Sequence, residues 1–212
     1  MVSEALADPP PIDFSQIFLL NDNEARYDHR SDESLAAHAQ RLGVSPAEAF
    51  ILLSAERDGK ALFNYPFLNP SFDAVAEMLT HPQVVIGLGD SGAHVGQIMD
   101  ASLPTYFLKH WVKERQHFTL EQAIRKLTLD PAQLFGIQGR GVIQQGAYAD
   151  LNVIDYDNLK LPPPVFVQDL PAGGSRYIQQ SSGYKYTLVN GRVFMEGLEH
   201  TGAFAGRVLR SA

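Results

Sequence analysis

Residues 84–94 read Val84-Val85-Ile86-Gly87-Leu88-Gly89-Asp90-Ser91-Gly92-Ala93-His94. A short β-branched run breaks into a glycine-rich turn that carries one carboxylate and one imidazole. The pattern predicts a strand over 84–89 and an open loop after it. α/β proteins present reactive side chains in this way, because strand ends are rigid and the loops beyond them face solvent. Asp90 has the chemistry of a metal ligand or a general base. Its structural alternative is a turn aspartate bonded to its own loop. His94, four residues on, is a candidate substrate contact or a loop histidine bonded to backbone. Ser91 and Gly92 suit the turn, and Gly92 has no side chain to keep a substrate off the backbone.

Upstream of this stretch the order reads helix, helix, strand, helix. Pro9-Pro10-Pro11 cannot be helical and reads as extended entry, and 12–20 resembles a short strand. Leu35, Ala36, Ala39 and Leu42 fall at helical spacing behind Ser31-Asp32-Glu33-Ser34, and Gly43 stops that helix. Ser45-Pro46-Ala47-Glu48 opens a second helix that runs to about Arg57. A short strand over 60–64 and a helix over 71–79 follow. Alternation of this kind predicts a parallel sheet with helices packed on it.

Downstream, a helix is expected over 104–115. In it Tyr106, Phe107 and Trp111 share a face and read as core. Thr119-Leu120-Glu121-Gln122 is a capping box for the next helix, and Asp130-Pro131 starts a short one ended by Gly136. After Gly139 the chain turns to short β-type runs punctuated by glycine, with strands expected over 149–156 and 185–189. Asn190-Gly191 between two such runs is the strongest hairpin signal, since a type I′ turn needs two residues that tolerate positive φ.

The 212 residues are 45% hydrophobic, enough for a substantial core. A formal net charge of −7 argues against nucleic acid or an anionic membrane as partner. The absence of cysteine excludes a disulfide scaffold and a Cys-based zinc site. Residues 1–11 lack the basic-then-apolar layout of a signal peptide. No apolar run approaches the roughly 20 residues that span a bilayer. The chain therefore reads as soluble and cytoplasmic. No nucleophile elbow or phosphate loop is present. Gly87-x-Gly89-x-x-Gly92 matches a dinucleotide-binding spacing by count, without the βαβ context and acidic strand end that would support it.

Several segments together resemble one family. Gly87 to Gly96, then Asp100-Ala101-Ser102 and Pro104-Thr105, is similar to the last barrel strand and following loop of N-acyl-D-amino-acid deacylases, which belong to the metal-dependent amidohydrolase superfamily. Leu127-Thr128, Pro131-Ala132 and Phe135-Gly136 resemble the helix that follows. Arg140-Gly141-Val142-Ile143, Gly146, the run Ala149 to Asp155, Asp169 to Gly174 and Val189-Asn190-Gly191 resemble the return into the small β domain. The likeness is good from about residue 60 onward and weaker before.

The resemblance implies a (β/α)8 barrel of the TIM type followed by a small β-sandwich-type domain. A complete barrel takes about 250 residues. The chain therefore reads as the last βα units of a partial barrel over 1–139, with the small β domain over 140–212. The implied activity is hydrolysis of a linear amide in a small-molecule N-acyl amino acid, dependent on Zn2+. Asp90 takes the place of metal ligand and proton shuttle by this likeness, and His94, Ser91 and Gly92 those of substrate contacts.

The family's remaining ligands come from earlier strands, as a His-x-His pair and others. The seven histidines here, His29, His38, His81, His94, His110, His117 and His200, include no such pair. His38, His81, His110 and His117 read as surface or capping residues. A zinc site needs at least three placed protein ligands. The chain alone is therefore expected to bind the metal weakly or not at all, and to require the missing N-terminal barrel half or a partner chain. The contrasting expectation is a non-catalytic partial-barrel domain that serves binding or assembly.

Overall fold

The computed structural model describes residues 12–20, 25–87, 89–96 and 101–209. The Pro9–Pro11 entry and Leu88 and Asp100 of the family-like stretch lie outside them. Contacts divide the chain into two units, one up to Glu77 and one from Met78.

The first unit holds strand β1 (Phe18–Leu19), helices α1 (Leu35–Leu42) and α2 (Pro46–Ala55), and strand β2 (Phe63–Asn64). Local chemistry sets both helix ends. The Ser34 hydroxyl accepts from the Ala37 N–H at 3.2 Å and the Ser45 hydroxyl from the Glu48 N–H at 3.2 Å. Gly43 closes α1 at φ 69°, the left-handed conformation that glycine adopts without strain. Leu35, Ala39, Ala49 and Leu53 form the core between the helices, with Phe14, Ile17, Leu19, Val44 and Phe63 packed on it. β1 and β2 pair antiparallel, Phe18 opposite Asn64. Helix α3 (Phe72–Thr80) follows.

In the second unit, α4 (Leu103–Tyr106) continues into a π-helical segment, Phe107–Glu114. The Arg115 N–H donates to the His110 carbonyl at 2.8 Å, the i to i+5 bond of the wider turn. Phe107, Leu108, Trp111 and Val112 are buried there, with Phe118 and Ala123. Helices α5 (Leu120–Leu127) and α6 (Leu129–Leu134) follow, α5 opened by the Thr119–Gln122 capping box.

The rest is β. Strands β3 (Leu151–Ile154), β6 (Tyr184–Val189), β7 (Arg192–Glu196) and β8 (Glu199–His200) form one sheet in that order, all antiparallel. The β6–β7 hairpin turns at Asn190 (φ 49°) and Gly191 (φ 78°), as that dipeptide requires. Strands β4 (Val165–Leu170) and β5 (Gly174–Ile178) make a separate antiparallel hairpin. β4 is mostly exposed, β5 is half-buried throughout and their register is interrupted, so the runs give little periodic signal.

Two expectations need correction. Residues 84–87 and 89–90 form no strand, and among the described residues every strand pairing is antiparallel. A parallel strand gains its hydrogen bonds from neighbours on both sides, and no described strand flanks this run. His110 is not a surface residue but 1% exposed. Its Nδ1 lies 3.1 Å from a Glu114 carboxylate oxygen, and its ring stacks on Tyr106 at 4.9 Å. A histidine flanked by Lys109, Lys113 and Glu114 reads as exposed by residue type, but it lies one turn beyond Tyr106 on the buried face of the helix.

Candidate functional site

The Asp90 loop is a turn built by glycine. The Ala93 N–H donates to the Asp90 carbonyl at 3.0 Å, closing a four-residue turn over Asp90-Ser91-Gly92-Ala93. Gly92 occupies its third position at φ 93°. A type II turn needs positive φ there, which a residue with a Cβ adopts only under strain. A Cβ built on Gly92 would meet no atom within 4 Å, so the glycine answers the backbone rather than crowding.

The structure brings all four predicted residues onto this turn and its exit. Asp90, Ser91, Gly92 and His94 are all exposed. The Asp90 carboxylate has no hydrogen bond or ion pair to any described residue. The turn-aspartate alternative would have that carboxylate accept from a nearby backbone N–H; among the described residues it is the Asp90 carbonyl that does so. The side chain is left facing solvent on a backbone of defined shape.

One further attachment was not legible in the sequence. The Tyr177 N–H, on β5, donates to the Val95 carbonyl at 2.8 Å. The residue after His94 is thus tied to the β4–β5 hairpin. Arg176 beside it forks onto Asp169, Nε to Oδ1 at 2.8 Å and Nη2 to Oδ2 at 2.7 Å. Those bonds hold the Asp169 carboxyl below its ordinary range and raise the Arg176 guanidinium. A cleft of about 470 Å³ lies elsewhere, lined by Leu129, Ala132, Ile137, Arg140 and Val142 among others, and none of the four candidates borders it.

Among the described residues, no three or more His, Cys, Asp or Glu side chains are placed to hold a metal ion. Asp90 and His94 by themselves do not fit a metal centre. Nor, among the described residues, is any helix long and apolar enough to cross a membrane.

Residues 17–195 match the amidohydrolase family. The chain belongs to that family. It is 30% identical over 161 residues to an N-acyl-D-aspartate deacylase of Alcaligenes xylosoxydans xylosoxydans, covering 76% of this chain and 27% of the relative. A D-aminoacylase of the same organism is 35% identical over 102 residues, 48% of this chain and 19% of the relative. The crystal structure of a D-aminoacylase superposes with a TM-score of 0.50 at 25% identity, over 84% of this chain and 34% of that one. The likeness to N-acyl-D-amino-acid deacylases expected from the motifs therefore holds. The chain spans 27% and 19% of the lengths of the two curated relatives.

Proposed function

We propose that this chain supplies the C-terminal part of a cytoplasmic, zinc-dependent deacylase that cleaves the amide bond of small N-acyl-D-amino acids. The observation that carries this reading is the Asp90 carboxylate, uncommitted to any described residue and set on a glycine-built turn. Family membership supports it, as do the similar N-acyl-D-aspartate deacylase and D-aminoacylase. In this reading the division at 139/140 separates the last units of a TIM-type barrel from the small β domain.

Asp90 is the proton carrier. Its carboxylate takes a proton from the attacking water and returns it to the leaving nitrogen, which departs as a neutral amine. His94 and Ser91 hold the substrate by hydrogen bonds, and Gly92 leaves room for it against the backbone. Zinc, when bound, would supply an acidified water and a polarised carbonyl; Asp90 would be one of its ligands, and the others would come from residues outside this chain, in the N-terminal barrel half or on a partner chain.

The test is deacylase turnover of N-acyl-D-amino acids by this chain combined with the N-terminal portion of a D-aminoacylase. Asp90→Asn is expected to lower kcat by about 10²–10⁴-fold, the usual contribution of a placed general base. Normal turnover by Asp90→Asn would remove the assignment. A defined, stable oligomer of this chain that gains no activity from the N-terminal portion would favour the binding or assembly role.

A further inference from the structure

We propose that the β4–β5 hairpin is a positioning device for the Asp90–His94 turn, with Tyr177 as the attachment and the Asp169–Arg176 fork as its brace. The functional consequence rests on the reading of Asp90 as the proton carrier. The attachment itself does not.

Ladder geometry comes first. In the hairpin Phe166 lies opposite Tyr177 and Val167 opposite Arg176. Antiparallel residues alternate between pairs that exchange both hydrogen bonds and pairs that exchange none. The Tyr177 N–H goes to Val95, so it points away from β4 and the Phe166–Tyr177 pair is of the second kind. Side chains in such pairs stand closer, and the two rings meet edge to face at 5.1 Å. The outer edge of β5 thus offers an N–H that the hairpin itself cannot use, and the loop carbonyl takes it.

The loop needs this support. Residues 91–96 are all exposed. A segment without buried apolar contacts opens at little free-energy cost. The Ala93–Asp90 bond gives the turn its shape but attaches it to nothing else. The Tyr177–Val95 bond, one residue past His94, supplies the attachment. Misplacing a catalytic group by about 1 Å costs on the order of 10²-fold in rate.

The brace sits beside the attachment. The register shifts between Val167 and Leu170, leaving Gln168 and Asp169 out of the regular ladder. The two-point fork from Arg176 to Asp169 spans that irregularity. A planar guanidinium bonded at two points holds orientation as well as distance. Arg176 directly precedes Tyr177, so the fork steadies the direction in which the Tyr177 N–H faces.

The experiment is amide hydrogen exchange, read by NMR on the 212-residue chain. Asp169→Arg and Arg176→Asp are each expected to speed exchange at Tyr177 at least tenfold, and exchange at Ala93 with it. The double variant, which restores the fork with its partners swapped, should recover most of the protection. A Tyr177→Pro variant removes the outward donor at an edge position where proline is tolerated. It should expose Ala93 while amides of the β6–β7 hairpin stay protected. Unchanged Tyr177 exchange in both single variants, or no recovery in the double variant, would overturn the proposal. Asp90→Asn should leave Tyr177 protection intact, so failure of the Asp90 assignment in the deacylase assay is read separately.

Discussion

Arg140 donates from Nη2 to the side-chain carbonyl of Asn190 at 2.8 Å, across fifty residues of chain. The same guanidinium pairs with Asp150, whose other carboxylate oxygen accepts the Asn190 N–H at 2.8 Å. The Asn190 amide also donates to the Ala205 carbonyl at 2.6 Å. Asn190 therefore does two jobs: it holds the left-handed turn and it ties the turn to the segment entering β3. Asn190→Gly keeps the turn and the backbone bond to Asp150 but loses the side-chain bonds to Arg140 and Ala205, at about 1–3 kcal/mol for bonds that include a charged partner. Asn190→Ala loses the same side-chain bonds and costs about 1–2 kcal/mol more for an alanine Cβ at positive φ. Urea unfolding should rank wild type above Gly above Ala. An alanine variant as stable as the glycine variant would contradict this account.

Leu35 is 1% exposed at the centre of the α1–α2 core. Leu35→Ala should cost about 2–5 kcal/mol, as for a buried leucine whose cavity only partly collapses. Leu134, 63% exposed, should change stability by no more than about 0.5 kcal/mol on the same substitution. Denaturation midpoints of the two variants check the contrast.

Gly141 sits at φ 80° with backbone against it. A Cβ there would lie 2.9 Å from the Thr128 carbonyl oxygen and 3.0 Å from the Leu129 Cα. Neither atom is the mobile end of a side chain. Gly141→Ala should cost about 2–4 kcal/mol, combining the strain of positive φ with a forced backbone shift. A thermal melt that matches wild type would refute it.

Acid should weaken the first unit in two stages. Burial first, then the Arg26 charge, pushes His29 below its ordinary 6.5, and burial does the same to His38. The unfolded chain therefore takes up protons near pH 6.5 that the folded one refuses. Stability present above that pH is lost as pH falls through 6.5 toward the folded values. Glu33 behaves as a depressed carboxylate, held first by the Arg30 N–H at 2.9 Å and also by the Arg26 charge. Its contribution is present above 4.5 and is lost as pH falls below that. His29 stacks on Phe18 at 4.5 Å, so His29→Phe keeps the ring contact and removes one titrating group. Urea unfolding from pH 8 to 3 should show a shallower first stage in His29→Phe and an unchanged second one.

Much of the local structure was legible. Helices α1 and α2 carry their own stop and start signals at Ser34, Gly43 and Ser45, and the Asn190–Gly191 turn carries its own as well. Each depends on bonds within a few residues. The β4–β5 hairpin was not legible, because its bulge breaks the alternation and its strands bury little. The interior place of His110 was missed because histidine among charged neighbours is usually exposed, whereas here its ring is enclosed by Tyr106 and Trp111. At the candidate site, Asp90, Ser91, Gly92 and His94 were legible as types in a pattern, whereas the Tyr177–Val95 attachment joins positions 82 residues apart and leaves no local trace.

By itself the sequence determined family membership, the ends of helices α1 and α2 and the Asn190 turn, and it singled out Asp90 as a candidate. Those depend on residue type and short spacing, which a linear string carries directly. Only the tertiary structure decided that residues 84–90 lack a strand partner, that His110 is enclosed, and that a distant hairpin edge fastens the Asp90 loop. Each of these turns on which chain segment supplies a hydrogen-bond or packing partner, and partners far apart in sequence are known only once the chain has folded.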